Sequence, residues 1–157
     1  MDPLVRQAAQ YLEETLAVEV APVRWRGRDR LPPLLKERYR FAEVRLLGVT
    51  CVLMVDADED ELAPGTVRKH IDLARQKSDA AVIYVRARVT AYNRKRLIER
   101  RVPFVVPGNQ MYLPLLGLDL REHFKRPRAK PRALGPATQA LVLHVLLRER
   151  GDALVPA

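Results

Sequence analysis

Three short apolar runs constrain this chain more than any other feature: VTCVLMVDA at 49–57, AVIYVRARV at 81–89 and VPFVV at 102–106. Each is strand-sized and apolar without alternation, the pattern of a strand covered on both faces. Two helical segments separate them. TVRKHIDLARQKSDA carries Val67, Ile71 and Ala74 at helical spacing, and TAYNRKRLIERR has Thr90 placed to cap its first turn. Buried strands that alternate with helices require crossover connections and hence parallel pairing, which means an α/β domain.

The preceding residues add a helix and two strands. DPLVRQAAQYLEETLAV places Leu4, Ala8, Tyr11 or Leu12, and Leu16 on one helical face, with Asp2 as cap and Pro3 in the first turn. VEVAPVRWR reads as a strand near an edge because of Pro22. GRDRLPPLLKERYR reads as a loop with a short helical turn. FAEVRLLG alternates, Ala42, Val44 and Leu46 facing one way and Glu43 and Arg45 the other, and Gly48 permits a turn. After the third buried strand, PGNQ has Pro107 and Gly108 in the order of a type II turn, and MYLPLLG returns beside the strand. The expected fold is a layered mixed sheet with flanking helices, in the order αβββαβαβ, followed by a C-terminal helix. The expected domains are an α/β domain over 1–124, a basic Pro-containing linker over 125–135, and a last helix within 136–157. In that helix Leu141, Val142, Leu143, Val145, Leu146 and Leu147 leave almost no polar face, so it must be buried. Leu143 and Leu147 are the candidates for contact with a partner or a second copy of the chain.

Hydrophobic residues at 48% and charged residues at 30% suit a soluble globular protein, but a formal net charge of +9 over 157 residues does not fit the usual balance. Such an excess favours polyanions. The cations fall into three groups: Arg24, Arg26, Arg28 and Arg30 around Trp25; Arg94, Lys95, Arg96, Arg100 and Arg101 on the second crossover helix; and Lys125, Arg126, Arg128, Lys130 and Arg132 in the linker. All three suit phosphate contact, which gives affinity without sequence readout. On the expected strand, Arg24 and Arg26 share a face and Trp25 points the other way. Tyr92 and Tyr112 read as packing residues.

Little in the sequence points to catalysis. Cys51 stands alone inside an apolar run, which excludes an internal disulfide and a cysteine-based metal site and suggests a buried thiol. His70, His123 and His144 show no metal-ligand spacing, and neither a glycine-rich phosphate loop nor a nucleophile elbow occurs, so no cofactor is expected. The acidic run Asp56, Asp58, Glu59, Asp60 and Glu61 lacks the glycine and spacing of a calcium loop and reads as charge favouring the following helix N-terminus. Asp56 is distinct, because it ends a buried strand, where α/β proteins place their sites. No apolar run is long enough to span a bilayer and MDPLVRQ has no signal-peptide pattern, so a cytoplasmic protein without a membrane partner is expected.

Two resemblances bear on function. YNRKRLIERRVPFVVPGNQMYLP, then LDLREHF, then LGPATQALVLHVLLRE resemble the front part of bacterial MarR-family or helix-turn-helix transcriptional regulators, in which an α/β domain precedes a winged helix. The resemblance covers roughly residues 35 to 150. It implies a regulatory, DNA-associated role, with the last helix opening a truncated winged helix and the α/β domain acting as a sensor or interaction module. The second is architectural: helix, three strands, helix, strand is similar to the restriction-endonuclease-like PD-(D/E)XK core. That core needs an acid on one strand and Glu-x-Lys on the next to hold magnesium. Its nearest match here is Glu43 with Arg45 in the lysine position and Asp29 as the upstream acid. Arginine stays protonated and is a poor base, and Asp56 to Asp58 also lacks a lysine, so any such core would be degenerate. The expected function is therefore a non-enzymatic, DNA-associated transcriptional regulator. The alternatives are a divergent metal-dependent nuclease and a protein-interaction or oligomerisation module.

Overall fold

Asp2 starts the first helix, α1 (Pro3–Leu16), by accepting a hydrogen bond from the Leu4 N–H at 2.8 Å. The structure, a computed structural model, describes residues 1–121, within a unit spanning Met1–His123. Arg126, Arg128, Lys130, Leu143, Leu147, His123 and His144 lie outside the described residues, and with them the expected linker and last helix.

After α1 the chain forms β1 (Val23–Arg24), the short helix α2 (Pro33–Arg38), β2 (Tyr39–Leu46), β3 (Val49–Asp56), α3 (Pro64–Arg75), β4 (Ala81–Arg86), α4 (Ala91–Glu99), β5 (Phe104–Val106), β6 (Gln110–Leu113) and β7 (Leu118–Arg121). One sheet takes all seven strands of the described residues in chain order. The β3, β4 and β5 strands pair in parallel through α3 and α4, and every other pair is antiparallel. The expected αβββαβαβ order is present; α2 is the short helical turn read in GRDRLPPLLKERYR, β6 is the return read in MYLPLLG, and β7 extends the sheet beyond it. The four residues of β7 give too short a pattern to read from sequence.

The sheet is sandwiched. Ala42, Val44, Leu46, Cys51, Leu53, Val55, Ile83, Val85 and Val105 face α1, where they meet Leu4, Val5, Ala8 and Leu12. Phe41, Val52, Met54, Val82, Tyr84 and Phe104 face the other way, onto Leu35 of α2, Val67, Ile71 and Ala74 of α3 and Leu97 of α4. The alternation read from FAEVRLLG therefore sets the register of β2 against both layers. Cys51 is buried, and burial pushes its thiol up to about 11, which keeps it protonated.

Turns fix the register. The β2–β3 hairpin turns on Leu47 and Gly48 at φ 49° and 83°, the two-residue geometry that matches strand twist. Gly108, at φ 68°, follows Pro107 in the turn that the Asn109 N–H closes onto the Val106 carbonyl at 3.0 Å.

One local expectation fails. The first strand stops at Arg24, and Arg26–Arg30 form a 3-10 turn, so Arg24 and Arg26 do not share a strand face. Burial of Trp25 accounts for this. Its ring packs against Phe41 with centroids 5.4 Å apart and lies over Gly27 so closely that a Cβ there would collide with the indole, which draws the chain out of the strand.

Candidate nucleic-acid interface

Asp56 ends β3 with its side chain out of solvent. Its Oδ2 accepts from Arg38 Nη2 at 3.2 Å and from the Tyr84 hydroxyl at 2.9 Å and forms an ion pair with Arg86 Nη1 at 3.0 Å, while Oδ1 accepts the Asp58 N–H at 3.3 Å. The two guanidiniums reach onward into the acidic loop. Arg38 donates to Asp58 at 3.2 Å and to the Asp60 carbonyl at 2.6 Å, and Arg86 donates to the Glu59 carbonyl at 2.7 Å. Beside them the Tyr39 hydroxyl meets His70 Nδ1 at 2.8 Å. Burial, then the Arg38 charge, holds the His70 imidazolium below its ordinary value, and burial raises Tyr39 and Tyr84, so all three are neutral near pH 7.

This cluster corrects the reading of the acidic run. The residue before α3 is Ala63, which supplies no side-chain cap, and the first turn of α3 holds no acid. The acids serve other partners: Asp56 and Asp58 pair with Arg38, and the Glu61 carboxylate accepts from the Thr90 N–H at the start of α4. Two cations already occupy Asp56. It has the place of a catalytic acid at a strand end, but its contacts are those of a buried ion cluster that ties the loop to the sheet. Among the described residues no group of three or more His, Cys, Asp or Glu side chains is arranged to hold a metal ion.

The proposed nuclease acids stand apart from this cluster. Glu43 pairs with Val52 in mid-sheet and lines two clefts, one of about 880 Å³ with Arg75, Asp79 and Arg101, the other of about 580 Å³ with Arg24, Arg26 and Arg30. Asp29 lies in the 3-10 turn and lines neither cleft; its carbonyl accepts from Lys36 Nζ at 2.7 Å. Arg45 is exposed opposite Thr50.

The basic residues divide over several surfaces. Arg28 and Arg30 brace the chain by donating to the Lys36 and Lys77 carbonyls at 3.2 and 2.9 Å, which leaves Arg24 and Arg26 around Glu43. On α4, Arg94 and Lys95 line a small cleft with Glu99, to which Lys95 pairs at 4.0 Å. Arg96 and Arg100 point to the neighbouring helix instead. With Arg68 and Lys69 of α3 they line a groove of about 690 Å³ that also holds Tyr92 and Asn93. Arg68 is balanced by Asp72 at 3.2 Å, and among the described residues Lys69, Arg96 and Arg100 form no ion pair. Among the described residues no carboxylate lines this groove, whereas the clefts around Glu43, Glu99 and Asp56 each contain at least one.

Sequence reasoning found Arg96 and Arg100 but missed Arg68 and Lys69. The missing signal is tertiary. Successive crossovers from β3 to β4 to β5 put α3 and α4 side by side on one sheet face, so the polar positions next to Val67 meet those next to Leu97. Tyr92 is also not the packing residue expected. It is 66% exposed, with the Arg96 guanidinium 5.1 Å from its ring centroid. Tyr112 does pack, half-buried against Phe104. Among the described residues no helix is long and apolar enough to cross a membrane. Comparison of the whole chain with protein-family models, with curated proteins and with solved structures gives no match.

Proposed function

We propose that the α/β domain is a non-catalytic, DNA-associated module of a transcriptional regulator and that it contacts the phosphate backbone through the groove between α3 and α4. The observation that carries this reading is a groove wall with no carboxylate among the described residues, in which Lys69 of α3, Arg96 of α4 and Arg100 at the end of α4 form no ion pair with another described residue. Cations so placed release counterions when they meet phosphates and give affinity that does not depend on base sequence. The non-catalytic part of the reading is supported by Asp56, whose carboxylate is engaged by Arg38 and Arg86.

The test is a fluorescence-anisotropy titration of labelled duplexes across a salt series, with magnesium and without, followed by a gel of the same samples. Binding that weakens steeply with salt, is similar on unrelated sequences and leaves the DNA intact is the expected result. Binding to one sequence alone would contradict the phosphate-contact reading. Cleavage that appears only with metal, and that Glu43→Ala abolishes, would establish the nuclease alternative instead.

A further inference from the structure

Tyr92 has a position that packing does not explain. The apolar side of α4 buries Leu97 and half-buries Ile98, yet Tyr92 keeps 66% of its surface in solvent on the groove side. The Arg96 guanidinium lies 5.1 Å from its ring centroid. An exposed aromatic ring flanked by uncompensated cations is the arrangement with which proteins hold unpaired nucleotides: the ring stacks on a base and the cations follow the backbone. A base inside a duplex is already stacked on both faces and offers no such surface.

Tyr92 and Arg96 stand one turn apart on α4 and Arg100 caps its end, so the ring and both guanidiniums line the same groove. Asn93, beside Tyr92 in the groove, adds a side-chain amide suited to a base edge.

We infer that the α3–α4 groove binds single-stranded nucleic acid in preference to duplex, with Tyr92 as the stacking platform for one unpaired base and Arg96 and Arg100 on the adjoining phosphates. This inference rests on the phosphate-contact reading of the same groove.

The experiment compares the full chain on a labelled single-stranded oligonucleotide and on a duplex of equal length, at several salt concentrations. Wild type binds the single strand more tightly. Tyr92→Ala weakens single-strand binding by about tenfold or more, leaves the salt slope unchanged and does not alter duplex binding, while Tyr92→Phe keeps the wild-type affinity. An equal loss on both substrates, or no loss on the single strand, overturns the inference. Salt-dependent binding with no preference for the single strand overturns the stacking role alone and leaves the phosphate-contact reading standing. Failure to bind either nucleic acid at low salt removes both.

Discussion

Arg86 Nη1 lies 3.0 Å from Asp56 Oδ2, and the two side chains are 8% and 0% exposed. Arg86 ends β4 and Asp56 ends β3, so the contact joins neighbouring parallel strands at their C-terminal ends. Arg38, at the end of α2, adds a second cation to the same oxygen. The carboxylate thus compensates two largely desolvated guanidiniums. Removing a partner from a buried pair leaves an uncompensated charge, which costs about 3–5 kcal/mol.

Asp56→Ala is therefore expected to lower unfolding stability by about 3–5 kcal/mol, measured by urea denaturation, whereas Glu43→Ala changes it little. Similar stability of the two variants would show that the cluster does not hold the loop in place.

The pH dependence follows from His70. Its folded-state value lies below the unfolded one, because burial and Arg38 disfavour the imidazolium. The unfolded chain therefore binds more protons as the pH falls. The contribution of His70 to stability is complete above the ordinary histidine value, near 6.5, and is lost as the pH falls through the lower folded value. Thermal melts between pH 5 and 8 are expected to show an acid-side decline in wild type that is shallower in His70→Gln. An unchanged slope in that variant would assign the decline to other groups.

Leu47 supplies a stabilising variant. It sits at φ 49° in the β2–β3 turn and is 54% exposed, so it bears left-handed strain and buries little in return. Asparagine tolerates this conformation and precedes glycine in favoured hairpin turns. Leu47→Asn is expected to raise stability by roughly 0.5–1 kcal/mol, read as a higher urea midpoint. A lower midpoint would mean that the leucine contributes packing.

Most of the architecture was legible in the sequence because its strongest signals are local. The continuous apolar runs of β3, β4 and β5 and the caps at Asp2 and Thr90 point to the same elements that form, and the Thr90 hydroxyl accepts from the Asn93 N–H at 3.3 Å as a cap should. Two departures have tertiary causes: Trp25 ends the first strand by burying its ring, and the acidic loop is engaged by Arg38 and Arg86 and supplies no side-chain cap to α3. The candidate groove was only half legible. Arg96 and Arg100 stand out in a basic run, but Arg68 and Lys69 lie 27 positions or more earlier and meet them only through the crossover. The exposure of Tyr92 was not legible, because a tyrosine on a helix reads the same whether it faces core or solvent.

The most direct test of the phosphate-binding groove compares two variants of the same helix pair. One neutralises the groove (Lys69→Gln, Arg96→Gln, Arg100→Gln). The other neutralises the opposite side of α4 (Arg94→Gln, Lys95→Gln). The measurement is the slope of log affinity for duplex DNA against log salt. The groove variant is expected to bind all sequences more weakly and to flatten the slope by about one unit for each phosphate it no longer engages, while the second variant stays close to wild type. Equal flattening in both, or none in the groove variant, would contradict the assignment of phosphate binding to the α3–α4 groove.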